Sequence, residues 1–281
     1  MSLRLMTPTT ARLSSFVRPA SFIQQIRFNS SSVNKGMAKQ RPAINKIGVP
    51  FQPFVPVRAS RRPNLFTSPK LFFINLYKLT ALTAFNVYQR WKFSSSMGKN
   101  YKPNYIKWNN DVIDVFVKVN TAFSERKIEK VRDLMSDYVY FALGKRQASL
   151  PKNISLGWDL IKFNSKPKLM SFYPFPHDDG STLLVQVTYR FETKQRLTFK
   201  KHGSKEIKEE VKDLVEYLSF NVDPYTEKVI LAGSVFESPI TRELSAKSMP
   251  SQEETINNMI ANGDIYRIEP AELEQIQASK K

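Results

Sequence analysis

The chain has 281 residues, no Cys and two His, so a disulfide framework, a thiolate metal site and imidazole-based chemistry have little to build on. Its formal net charge is +18, and the whole excess lies in the first 110 residues, which contain no Asp or Glu. From residue 111 onward, 25 basic and 25 acidic side chains balance each other. This asymmetry indicates a targeting segment, a nucleic acid partner or an anionic membrane.

Residues 1–33 have the composition of a mitochondrial presequence. They contain seven Ser, no acidic residue and four Arg, at positions Arg4, Arg12, Arg18 and Arg27, and they lack the apolar core of a secretory signal. We expect processing near Arg27 to Ser30, so that this segment is absent from the mature protein.

Residues 34–69 form a basic, Pro-rich arm. Six Pro between Pro42 and Pro69 prevent a continuous helix or a central strand. An extended basic arm is well suited to lie on phosphates, and Arg58, Arg61 and Arg62 are therefore candidate phosphate contacts. A disordered tether is the alternative for this segment.

Residues 70–97 are predicted to contain an amphipathic helix with a possible membrane contact. Phe73, Tyr77, Ala84, Val87 and Trp91 share one stripe, and a second stripe contains Asn75, Lys78, Asn86 and Gln89. The helix is expected to pack on the domain or to lie at a bilayer surface, with candidate membrane contacts at Phe72, Phe73, Tyr77, Lys78 and Trp91. A membrane span is the alternative, and the central Lys78 argues against it.

Two further helices are predicted at the start of the domain that covers residues 98–238. Asn104 to Phe123 places Trp108, Val112 and Phe116 on one face. Glu125 to Leu143 follows as a third helix, and Gly144 is expected to end it.

After Pro151 the pattern changes to strands. Leu156 to Asn164 and Leu169 to Tyr173 are predicted as two strands that flank a Lys-Pro-Lys break. Ser181 to Lys200 alternates with period two, which predicts a long, bent antiparallel strand with its odd positions buried and its even positions wet and basic. Arg190, Lys194 and Arg196 on that wet face are candidate contacts to an acidic partner. A core strand whose other face is simply solvated is the alternative.

The last part of the domain contains one ambiguous segment and one apolar one. Val211 to Val222 fits either a helix or a strand, whereas Lys228 to Phe236 is apolar throughout, as a central strand would be. Helices followed by a four-stranded antiparallel sheet predict the α+β class, with the helical layer packed on a curved sheet.

Residues 239–281 form a C-terminal tail with one short helix. Ser251 to Glu254 has the form of a capping box, and Asn262-Gly263 is expected to end the helix. Ile265 to Ile268 is predicted as a short apolar clip.

The sequence contains no phosphate-binding Gly loop, no triad context, no metal-ligand cluster and no repeat. We therefore predict no catalytic residue, no cofactor, no metal and no small-molecule substrate. One enzyme alternative stays open, a small-molecule isomerase with a pocket between helices and sheet. Its base would be Asp159, Asp178 or Asp179.

Several strings between about residues 104 and 268 occur in the same order as in a known family. They are the strings that begin at Val119, Trp158, Pro167, Phe191, Gly233 and Asn262. In these strings the chain resembles the fungal mitochondrial inner-membrane ribosome receptors. That family is related to the C-terminal domain of the forty-four-kilodalton subunit of the presequence translocase and to a large-subunit mitoribosomal protein of animals.

The resemblance implies a cone-shaped α+β domain, and it makes Val211 to Val222 a strand. It implies a peripheral inner-membrane protein on the matrix side that holds the tunnel exit of the large ribosomal subunit near the membrane, beside the oxidase-assembly insertase. It carries over no catalytic residue. With this resemblance, the candidate contacts to ribosomal RNA are Arg58, Arg61, Arg62, Arg190, Lys194 and Arg196. A constitutive large-subunit mitoribosomal protein and a scaffold subunit of the presequence translocase are the alternatives.

Overall fold

The computed structural model describes residues 43–98, 101–176, 181–203, 207–244 and 251–264. Within them the helices are α1 (Pro69–Ser96), α2 (Tyr105–Ser124), α3 (Asp137–Ser149) and α4 (Gln252–Asn262). The strands are β1 (Ile154–Pro176), β2 (Thr182–Lys201), β3 (Ile207–Val222) and β4 (Val229–Val235). This arrangement confirms the predicted α+β class, and the ambiguous segment at Val211 is part of a strand.

The four strands form one antiparallel sheet in the order β1-β2-β3-β4. Strands β2 and β3 pair from Val185 opposite Val222 to Lys200 opposite Ile207. Strand β4 pairs with β3 only as far as Tyr217. The first three strands therefore extend beyond β4, as the length of the alternating pattern in β2 predicted.

The main core lies between the sheet and helix α2. Trp108, Val112, Phe116 and Val119 on α2 are buried, and Phe116 stacks on Phe191 of β2 with 4.7 Å between ring centroids. The odd positions of β2 face this core because a strand alternates its side chains between two faces. Both the α2 helix and the buried odd face of β2 are as predicted.

The predicted third helix, Glu125 to Leu143, is wrong. The chain forms a 3-10 segment at Ile128–Leu134, breaks, and starts α3 only at Asp137. The backbone N–H of Ser136 donates to the carbonyl of Leu231 at 2.8 Å, and its hydroxyl donates to the carbonyl of Ala232. Contact with β4 therefore interrupts the helix, and Ser136 caps the new one. Gly144 lies inside α3 and does not end it.

Two strand predictions also need correction. The segments on either side of Pro167 belong to one strand, β1, whose pairing with β2 shifts register at several points between Leu160 and Ser171. Pro167 is tolerated because β1 is at the edge of the sheet and bulges there. The apolar segment at Lys228 is also an edge strand, β4, although all its residues are buried.

The second face of the sheet is covered by the Pro-rich arm. Val49 and Val55 are fully buried in a smaller core with Met170, Tyr217 and Val235. This part of the arm is therefore packed on the sheet. The physical reason is that its apolar residues, which alternate with Pro, bury surface against the sheet.

Amide side chains on that sheet face bind the backbone of the arm. The side chain of Gln186 donates to the carbonyl of Phe51 at 2.6 Å, and Asn221 donates to the carbonyls of Ile47 and Gly48, each at 2.9 Å. Gln186 and its neighbour Thr188 are buried, so the predicted wet face of β2 begins only beyond them.

The C-terminal helix α4 packs against β4. Its capping box is present as predicted, with Ser251 and Glu254 bonded reciprocally, and Gly263 follows its last residue. Gly233 in β4 faces the end of this helix, where an added Cβ atom would lie 1.7 Å from the carbonyl oxygen of Asn262. Only Gly permits that approach. The predicted clip at Ile265 lies outside the described residues.

Candidate functional site

The projecting part of the sheet presents a row of basic side chains. Arg190, Lys194, Arg196 and Lys200 share one face of β2, on the side opposite the main core. The register places Lys168 opposite Arg190 and Lys162 opposite Lys194. We call this surface the basic face. It comprises the even positions of β2 from Arg190 to Lys200 and their partners in β1 and β3.

Acidic residues only partly balance the basic face. The basic face as defined contains six basic residues and four acidic ones, Asp159, Glu192, Glu209 and Asp213. Arg196 is 3.1 Å from Asp159, and Arg190 pairs with Glu192. Two ammonium groups directly opposite each other, as in Lys162 and Lys194, repel unless an anion lies between them. The surplus of charge is therefore carried by lysines.

The turn at the end of the arm joins this basic face. Arg58 Nε lies 2.6 Å from Glu237 Oε1, and Arg61 Nη1 lies 3.6 Å from Glu237 Oε2. The hydroxyl of Tyr217 donates to the same carboxylate at 3.0 Å, and Tyr217 is the cross-strand partner of Arg190. Burial, and then the charge of Glu237, raise the pKa of Tyr217 well above its usual range.

The structure therefore brings the two predicted basic sets together. Arg58, the first of the predicted arm contacts, is partly buried and ion-paired with Glu237. Arg61 and Arg62 are exposed. The Lys residues of β1 were missed because only the strand register, and no local pattern, places them beside β2.

Helix α1 packs on the domain with its polar stripe facing inward. Asn75 and Lys78 are buried, and the Lys78 ammonium donates to the carbonyls of Ile240 and Arg242. The same ammonium lies 5.2 Å from the centre of the Phe54 ring. Lys78 was a candidate membrane contact, and that assignment is wrong because its ammonium group is buried and bonded to backbone carbonyls of the same chain.

Asn86 fixes the middle of α1 to the edge of the sheet. Its amide donates to the carbonyl of Met170 at 2.9 Å, and its oxygen accepts from the N–H of Phe172 at 3.1 Å. One side chain thus satisfies two of the backbone groups that the edge strand leaves unpaired. Further along, the Arg90 guanidinium lies over the ring of Tyr105.

The aromatic stripe of α1 faces outward. Phe73, Tyr77 and Trp91 are exposed, and Phe72 is half-buried. Among the described residues, α1 included, no helix is both long enough and apolar enough to cross a bilayer.

The described residues contain no group of His, Cys, Asp and Glu side chains that could hold a metal ion. Asp159, a candidate base, is exposed and paired with Arg196. Asp178 and Asp179 lie outside the described residues. On the core side, Gln195 accepts from the Trp158 indole at 2.7 Å and donates to Glu216 at 2.8 Å. Burial raises the pKa of Glu216, against the hydrogen bond from Gln195, which lowers it.

The fold and these surfaces define a class, a basic α+β binding domain with a charged sheet face and an aromatic helix face. The chain belongs to the family of MBA1-like proteins, whose model matches residues 34–271. It is similar to the inner membrane mitoribosome receptor MBA1, mitochondrial, of Saccharomyces cerevisiae. The two are 33% identical over 225 residues, which cover 80% of this chain and 80% of the relative.

Proposed function

We propose that this protein is a receptor that holds the mitochondrial ribosome at the matrix side of the inner membrane. It binds the large subunit and positions the tunnel exit for insertion of newly made proteins into the membrane. The name of the yeast relative, an inner membrane mitoribosome receptor, supports this function. The oxidase-assembly insertase as a neighbour is supported by the family resemblance.

One observation supports the binding of the ribosome in particular. The turn at the end of the arm lies beside the basic face. Arg61 and Arg62 lie at the end of a segment without acidic residues, and Glu237 holds this turn beside Tyr217 and Arg190. An RNA surface carries a dense row of phosphates, and Lys and Arg side chains bind it by releasing counterions. The basic face is the described surface that suits this contact.

Co-sedimentation of the purified protein with mitochondrial ribosomes across a salt series tests the assignment. A variant with Arg62→Glu, Lys162→Glu and Lys194→Glu should bind more weakly, and its log–log salt slope should fall by about 2–3. The matched control, with Lys118→Glu, Lys127→Glu and Lys130→Glu, makes the same charge change on the helical side, where all three side chains are exposed. Equal losses in both variants would contradict a contact through the basic face.

High salt separates the receptor from the two alternatives. A receptor leaves the large subunit and stays with membranes, whereas a constitutive ribosomal protein remains on the subunit. A scaffold of the presequence translocase would instead be recovered with the import channel. We also propose that residues 1–33 are a presequence, which N-terminal sequencing of the protein from mitochondria would test.

A further inference from the structure

The outward side of α1 is an apolar surface that none of the described residues covers. Phe73, Tyr77 and Trp91 keep 60%, 67% and 65% of their surface exposed. Neighbouring exposed positions on the same side are Leu76, Val87 and Tyr88. We call these six residues the outward stripe. Residues 73 to 91 span about 27 Å of helix.

This orientation departs from the usual one, although Leu82 and Phe93 are also buried on the inward side. An amphipathic helix on a soluble domain normally buries its apolar stripe and exposes its polar one. Here the inward positions include Asn75, Lys78 and Asn86, each of which is bonded to, or buried against, the rest of the domain. A large exposed apolar patch marks an interaction surface in soluble proteins. The stripe is therefore a candidate interaction surface on the part of the chain that the structure describes.

The chemistry around the stripe indicates the occupant. No acidic residue occurs anywhere between residues 1 and 110. Lys70 and Lys92 are exposed near the two ends of the helix, and Arg61 and Arg62 precede it. Phe66, which is almost fully exposed, extends the apolar surface beyond the first turn. Trp and Tyr at an apolar boundary, with Lys and Arg beside them and no acid, match an anionic bilayer surface.

We propose that the outward stripe of α1 is a docking surface for an anionic lipid bilayer, and this inference rests on the receptor function proposed above. The helix lies parallel to the membrane plane, with its aromatic side chains at the level of the headgroups. Since Lys78 and Asn86 bind the opposite side of the helix to the domain, the docked protein has a fixed orientation on the membrane. The charged ends of the helix select anionic lipid, because each basic residue near such a surface raises binding about fivefold.

Flotation of the purified full chain with lipid vesicles tests the docking surface. The probes are phosphatidylcholine vesicles with and without cardiolipin. The variant Phe73→Ser/Tyr77→Ser/Trp91→Ser should lose about tenfold or more of its vesicle partitioning, because three aromatic side chains no longer leave water. The matched control, Phe141→Ser/Tyr225→Ser/Ile260→Ser, removes three exposed large side chains outside both the stripe and the basic face, and it should float as the parent does.

Trp91 provides a second readout. Of the three Trp in the chain, Trp108 and Trp158 are buried, so a change in emission on vesicle addition reports mainly on Trp91. We expect a blue shift, and quenching by brominated lipid, with cardiolipin-containing vesicles. The Trp91→Phe variant should lose this signal and keep its binding.

Three results would overturn the docking proposal. The first is flotation of the triple stripe variant equal to that of the parent, and the second is an unchanged Trp91 emission. The third is a parent dimer that the stripe variant abolishes in sedimentation equilibrium, without any vesicle binding, which would identify a second copy as the occupant. Ribosome co-sedimentation of the same variant, with an unchanged melting temperature, separates the two proposals. Ribosome binding that survives while docking fails leaves the ribosome half of the receptor function in place.

Discussion

Replacing Asn86 tests whether the polar side of α1 fixes the helix to the sheet. Asn86→Ala removes two hydrogen bonds and leaves the carbonyl of Met170 and the N–H of Phe172 without their partner, both in buried residues. Each lost bond costs about 0.5–1.5 kcal/mol, and orphaned buried groups raise that cost. Ala is the better helix former by up to about 0.7 kcal/mol, which offsets part of the loss. The expected decrease in the free energy of unfolding is about 2–3 kcal/mol.

Urea unfolding followed by circular dichroism measures this change. Thr83→Ala is the control, because Thr83 is exposed on the same helix and its hydroxyl bonds only to the carbonyl of Leu79. Its stability should stay within about 0.5 kcal/mol of the parent. Asn86→Asp should cost at least as much as Asn86→Ala, because it places a carboxylate against the Met170 carbonyl. A loss below about 1 kcal/mol for Asn86→Ala would refute the reasoning that polar contacts hold this side of α1 against the sheet.

Three further predictions concern the domain. Burial raises the pKa of Glu216 above its ordinary value of 4.5, so its charged form destabilises the fold at neutral pH and the penalty disappears as the pH falls through the raised pKa. Glu216→Gln should therefore be more stable than the parent at pH 7 and no more stable at pH 4, as denaturant titrations at the two pH values would show. Gly233→Ala should destabilise the domain and release α4, because the new Cβ atom would overlap the Asn262 carbonyl, whereas Gly144→Ala, in open space on α3, should stabilise it by up to about 1 kcal/mol. Thermal melts of the two variants check this contrast, and equal shifts would contradict it. Glu237→Gln should speed tryptic cleavage after Arg58 and Arg61, since the carboxylate that holds the turn is lost. Unchanged cleavage kinetics would show that the turn is fixed by other contacts.

Local signals in the sequence determined much of the fold. The helical stripe on α2, the alternation along β2 and the capping box of α4 depend on interactions within a few residues of each other, and the structure contains all three. The charge asymmetry also follows from the sequence alone, because it requires only a count of side chains.

The tertiary structure decided what depends on distant partners. Helix α3 begins late because β4 binds Ser136, and the arm is buried because Gln186 and Asn221 satisfy its backbone. The clearest case is the choice of which side of α1 faces the domain. Its two stripes are evident in the sequence, but periodicity cannot tell which of them faces the domain. That choice depends on the edge groups of β1 and the carbonyls after β4, which are brought to Asn86 and Lys78 only when the whole chain has folded.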